Sequence, residues 1–122
     1  MARVLVVDDT SFMRVNLKNI IEKNNNEVVA EAADGEEEVK KFKSHEPDLV
    51  TMDITMPKVD GIEAIKEILK IDPQTKIIVV SAMGQKKMIV KALEAGAEDF
   101  IVKPFEEERV EEAIDSVLSV KK

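Results

Sequence analysis

Apolar runs begin near Val4, Val28, Leu49, Ile77 and Phe100, and between them the apolar residues take up a helical spacing. After the first run Met13, Leu17, Ile20 and Ile21 recur at positions 0, 4, 7 and 8, and near the carboxyl end Val110, Ile114, Val117 and Leu118 repeat that spacing. This period gathers apolar side chains on one face of a helix. A third helix is expected from Gly61 to about Lys70, with Ile62, Ile65, Ile68 and Leu69 inward, ending near Asp72-Pro73 because proline disfavours helix in the residue before it. The second helix, between Glu36 and Ser44, is weak, since only Val39 and Phe42 are apolar. The fourth has the opposite character. Met88, Ile89, Val90, Ala92, Leu93 and Ala95 cover more than the roughly 100° stripe that one buried face needs, so it is either thickly covered or partly a docking surface.

Strand and helix alternating five times imply an α/β fold: a doubly wound, five-stranded parallel sheet with right-handed crossovers and helices on both faces. Continuous runs such as VLVV and IIVV suit strands buried on two sides. The second run, VVAEAA, carries Glu31, and the fifth, FIVK, is short, so these two are the edge candidates. A strand order of 2-1-3-4-5 satisfies this. In such a sheet ligands bind beyond the carboxyl ends of the strands, where the order reverses between strands 1 and 3.

Four runs close on polar residues that this topology brings to one edge. RVLVVDD ends on Asp8 and Asp9, DLVTMD on Asp53, KIIVVS on Ser81 and DFIVKP on Lys103. Three carboxylates, a hydroxyl and an ammonium make an oxygen-rich site for a hard divalent cation and a phosphoryl group. Neighbouring Asp8 and Asp9 repel each other unless a cation offsets their charge. Asp53, on a central strand, is placed to act as a carboxylate nucleophile toward phosphorus. Plainer roles exist for each: a strand-end aspartate caps a turn, Asp9 or Thr10 caps the first helix, Lys103 is a solvated edge lysine, and Phe100 is a core aromatic.

Composition narrows the classes. The chain has 122 residues, a formal net charge of −7, no Cys, no Trp or Tyr and four Phe. One domain over residues 1–122 is expected. The negative charge argues against nucleic acid or an anionic membrane as a direct partner. Scarce aromatics leave little surface for stacking a base or flavin. Absent thiols exclude disulfide and zinc-thiolate chemistry. No run is long enough to span a membrane and MARVLVVDD lacks the regions of a signal peptide, so a cytoplasmic location is expected. Neither a Walker A sequence nor a dinucleotide glycine fingerprint is present, which disfavours nucleotide hydrolysis.

VVDD at the first strand end, MDITMPKVDG around Asp53, SA at the fourth and DFIVKPF at the fifth, in that order across the chain, resemble the receiver domain of two-component response regulators. The opening RVLVVDDTSFMR is similar to that of stand-alone chemotaxis regulators. The resemblance implies a flavodoxin-like fold with Asp53 as phosphoacceptor. It also implies Mg²⁺ held by Asp8, Asp9, Asp53 and the main-chain carbonyl of Thr55. Lys103 then contacts the phosphoryl group, and the peptide bond before Pro104 is cis. Ser81 and Phe100 form a switch pair, and Gln85, Ile89, Phe100 and Val102 present the surface of the fourth helix, fifth strand and fifth helix to a partner. Implied partners are a chemotaxis-type histidine kinase, a flagellar or archaellar motor switch protein or motor adaptor, and a phosphatase. The chain is expected to be a monomeric signalling protein that assists its own phosphorylation and dephosphorylation, not an enzyme with a turning-over substrate. Thr55 and Met83, two residues past Asp53 and Ser81, offer neither carboxylate nor amide to orient water, so slow hydrolysis of the acyl phosphate is expected.

Other readings stay open at this point. A phosphorelay receiver outside chemotaxis differs only in partner, and a metal-dependent phosphohydrolase would use the same carboxylates. A flavodoxin-type electron carrier needs a Ser/Thr/Gly-rich phosphate loop where DDTSFMR is acidic. His45, the only histidine, reads as a solvated loop residue, Asn24 to Asn26 and Asp34-Gly35 as turns, and Glu106 to Glu108 as complements to the positive end of the last helix.

Overall fold

The computed structural model describes residues 2–56, 60–82 and 84–119. In chain order the elements are β1 (Arg3–Val7), α1 (Ser11–Lys23), β2 (Glu27–Ala32), α2 (Gly35–His45), β3 (Leu49–Met52), α3 (Gly61–Ile71), β4 (Lys76–Ser81), α4 (Lys86–Ala95), β5 (Asp99–Val102) and α5 (Glu107–Leu118). All pairings are parallel and the order is β2-β1-β3-β4-β5, as expected, with the Glu31 strand and the short fifth strand at the edges.

Side chains alternate across a strand, so each central strand feeds two cores. Leu5, Val7, Val50, Met52, Ile77 and Val79 face α2, α3 and α4, where Phe42, Ile65, Ile68 and Ala92 meet them. Val4, Val6, Leu49, Ile78 and Val80 face α1 and α5, packing on Leu17, Ile21, Val110 and Ile114. The register that pairs Val7 with Met52 makes Asp8 and Asp53 the next residue of each strand. The Asp53 N–H donates to the Val7 carbonyl at 3.0 Å, which locks that alignment.

The helix ends follow local chemistry. Asp60 accepts from the N–H groups of Ile62 and Glu63 at the start of α3. A Cβ added to Gly61 would collide with the Cα and Cβ of Ile54, so only glycine lets α3 begin hard against the segment that follows Asp53. The weak second helix is defined at both ends: Asp34 accepts from Glu37 N–H at 2.9 Å, the Glu37 carboxylate reaches back to Ala33 N–H at 2.7 Å, and Glu46 terminates it in the left-handed region. Of the alternatives for α4, thick cover does not hold. Only Ala92 is fully buried, Met88, Ile89 and Ala95 are half-buried, and Val90 and Leu93 are exposed, as is Val102 of β5.

One residue of α2 departs from its apolar pattern. Glu38 lies one turn before Phe42, is 0% exposed, and neither carboxylate oxygen has a hydrogen-bond partner among the described residues. Burial, with a smaller push from the Glu67 charge on α3, raises its pKa to about 8. An unfolded glutamate releases its proton near pH 4.5, well before the folded one does. Stability is therefore full below that pH and falls as pH rises toward 8, by at most about 1.4 kcal/mol per unit. Glu38→Met should flatten this slope and stabilise the protein most at pH 8, which urea unfolding at pH 5, 6.5 and 8 would measure. An unchanged slope would show that Glu38 is not the buried acid responsible.

Candidate functional site

Two Asp-x-Thr segments, Asp8-Asp9-Thr10 and Asp53-Ile54-Thr55, end the neighbouring strands β1 and β3 and form matching turns. Asp8 Oδ1 accepts from the N–H of Thr10 at 3.0 Å and from its hydroxyl at 3.1 Å. Asp53 Oδ1 accepts from the N–H of Thr55 at 2.8 Å and from its hydroxyl at 2.6 Å. An aspartate that binds the backbone two residues on is a standard way to turn the chain, and the threonine hydroxyl adds a second donor. Each turn leaves the other oxygen, Oδ2, facing the space between the strand ends.

Lys103 fills that space. Its Nζ lies 2.7 Å from Asp8 Oδ2 and 3.1 Å from Asp53 Oδ2, bridging two carboxylates whose side chains are 1% and 6% exposed. Burial pulls the ammonium pKa down, but the hydrogen bonds and charges of Asp8 and Asp53 outweigh it and hold the group above its ordinary value. The contact with Asp8 is the shorter of the two, and it was not among the expected ones. Lys103 N–H donates to the Ser81 carbonyl at 2.8 Å, tying β5 to β4, and the Lys103–Pro104 peptide is cis.

Asp9 is exposed, and carboxylate oxygens of Asp8, Asp9 and Asp53 lie within 4.8 Å of one another. Three hard oxygen donors, with room on the exposed side for water, fit Mg²⁺, which keeps several waters and takes one or two carboxylates. Ser81 is fully buried at the end of β4. Phe100 is 6% exposed, so of the residues expected on the partner surface it lies inside, whereas Gln85 and Val102 are exposed and Ile89 is half-buried. Met83 lies outside the described residues. Thr10 and Arg14 were not anticipated as site residues. The repeated Asp-x-Thr was a readable signal for the first, and nothing local marked the second.

An open doubly wound sheet with a carboxylate cluster braced by a lysine at its switch point defines a class of small α/β domains built around an acidic, cation-accepting edge. The chain belongs to the response regulator receiver domain family, whose model matches residues 4–115. It is 61% identical over 115 residues to the chemotaxis protein CheY of Thermotoga maritima, covering 94% of this chain and 96% of that one. To CheY of Bacillus subtilis it is 59% identical over 117 residues, covering 96% and 98%. Its backbone matches a chain in the crystal structure of the CheX-CheY-BeF3-Mg complex from Borrelia burgdorferi with a TM-score of 0.91 at 40% identity, covering 95% of this chain and 88% of that one. The strand order is the one shared by flavodoxin and CheY. The protein is thus a CheY-like receiver domain, a signalling module.

Removing one partner from a buried ion pair strands the other charge. Lys103→Met should lower stability by about 3 kcal/mol at pH 7, with millimolar Mg²⁺ recovering part of the loss by replacing the missing positive charge. Thermal unfolding with and without Mg²⁺ checks both; an unchanged melting temperature would mean that the pair contributes nothing.

Proposed function

We propose that the chain is the phosphoacceptor of a chemotaxis-type two-component system, with Asp53 taking a phosphoryl group from a histidine kinase. The observation that carries this reading is the convergence of Asp8, Asp9, Asp53 and Lys103 on one point at the switch of strand order. An Asp53 carboxylate oxygen attacks phosphorus, the P–N bond to the donor imidazole breaks, and that ring leaves with its electron pair and takes a proton from solvent. Asp8, Asp9 and Asp53 are the side chains that would hold Mg²⁺, together with the Thr55 carbonyl as receiver domains suggest. Bound there, the ion would supply charge neutralisation for the phosphoryl oxygens. Lys103 gives up part of its bond to Asp53 and pairs with a phosphoryl oxygen as a point charge.

Phosphorylation then shifts the surface formed by α4, β5 and α5. Ser81 and Phe100 act as the switch pair, the hydroxyl turning toward the phosphoryl group and the aromatic ring filling the space behind it. Moving a population from 1:99 to 99:1 takes about 5.5 kcal/mol. One charge-assisted hydrogen bond supplies about 1.5–3 kcal/mol. Ser81 alone therefore does not suffice, and Lys103 or the metal must also distinguish the two states. Gln85, Ile89 and Val102 meet a motor switch protein or motor adaptor, and a phosphatase resets the signal. The chain acts as a single receiver domain over residues 1–122, as a cytoplasmic monomer.

Intact mass after incubation with acetyl phosphate tests the first half. A gain of one phosphoryl group, about 80 Da, that needs Mg²⁺ and is absent in Asp53→Asn is expected; no gain in the folded native chain would remove the phosphoacceptor reading. For the second half, Ile89→Asp should leave phosphorylation intact and weaken capture of the motor partner at least tenfold. Loss of both together would make Ile89 a core position.

A further inference from the structure

Asp8 is held at every polar atom, whereas Asp9 is held at none. The Asp8 N–H donates to the Ala32 carbonyl of β2 at 3.0 Å, and its carboxylate oxygens are engaged by Thr10 and Lys103. Its carbonyl accepts from Arg14 Nη1 at 2.7 Å. Arg14 sits on α1 and is itself anchored by a second arm, its Nε donating to Glu31 Oε1 of β2 at 3.1 Å. Asp9 makes no hydrogen bond among the described residues, yet it supplies the exposed third of the carboxylate cluster. The carbonyl that Arg14 grips belongs to the Asp8–Asp9 peptide, so fixing that plane fixes where the Asp9 Cα sits and the N–Cα axis from which its side chain departs.

We propose that Arg14, braced by Glu31, is a positioning residue for the cation site, setting the plane of the Asp8–Asp9 peptide and thereby aiming Asp9 at the ion. The proposal rests on the Mg²⁺ reading above and deepens it. Charge alone would give Arg14 the opposite effect, because a guanidinium beside the cluster repels a dication. Glu31 resolves that conflict: the pair is neutral as a whole, so the grip on the carbonyl comes without a net positive charge. Arginine suits the task because its fork serves a carbonyl and a carboxylate at once from a planar, pre-organised group, which a lysine ammonium on a flexible stem does not reproduce.

The test uses Mg²⁺ itself, titrated into the full chain and followed by the amide chemical shifts of Asp8, Asp9 and Thr10. The double variant Arg14→Met/Glu31→Gln leaves net charge unchanged, so any change in affinity reports position rather than Coulomb attraction. Its Kd for Mg²⁺ should rise about tenfold, the lower end of what losing an outer contact costs a metal site. In an Asp9→Asn background the same pair of substitutions should change Kd less than twofold, since the residue being aimed is already gone. Arg14→Lys, which keeps the stem and charge, should fall between, and it carries the same cycle if the double variant does not fold. An equal loss in both backgrounds would mean general loosening of the strand ends and would overturn the proposal, as would no loss in either. A native chain that binds no Mg²⁺ would instead remove the metal reading itself.

Discussion

The lysine bridge between Asp8 and Asp53 is the constraint around which the carboxyl edge of the sheet is arranged. Two like charges about 4 Å apart repel by about 4 kcal/mol in surroundings like those near a protein surface. Placing both on adjacent strand ends, nearly free of solvent, therefore demands a cation between them. The chain brings that cation from β5, two strands beyond β3, and the bond from Lys103 N–H to the Ser81 carbonyl sets its height. The two threonine turns keep each Oδ1 occupied so that both Oδ2 atoms face the ammonium. An incoming dication thus meets no empty nest; it competes with a resident positive charge, and its affinity reflects that exchange.

The two cores serve this edge differently. Packing of α1 and α5 on one face supports β1 and the strands beside it, and α1 also carries Arg14 to the site, just after the turn that holds Thr10. The opposite face carries α2, α3 and α4. There Gly61 allows α3 to abut Ile54, so a shift of the segment after Asp53 presses on a helix backbone rather than on a flexible side chain. Glu38 also lies on this side, and its buried, unpartnered carboxyl means that this layer is not optimised for stability alone.

Most of the architecture was legible because the residues that define it act through period and position. All five strands announced themselves as apolar runs, and the polar residues ending four of them proved to be neighbours in space. The edge assignments from Glu31 and the short fifth run also held. What escaped depended on partners far away in sequence. The bond between Lys103 and Asp8 spans 95 positions and follows only once β1 and β5 are placed in one sheet. Arg14 joins a carbonyl on β1 to a side chain on β2, a link with no local spacing rule. Glu38 was hidden for a different reason: a charged letter in a weakly amphipathic helix is read as solvent-facing, and the desolvation that contradicts this is a tertiary fact. Thr10 looked like an ordinary cap, but its hydroxyl turns to Asp8 and makes no cap bond to α1.

α4 buries a single residue completely, while α3 and α5 each bury four. Local opening free energies track such burial, so α4 lies nearer the shallow end of the stability landscape than α3 or α5 does. A signal arriving at the strand ends need not melt a core to be read. Under the proposed switching it would have only to tip the least deeply anchored helix, and the sheet that carries the carboxylates could stay rigid meanwhile.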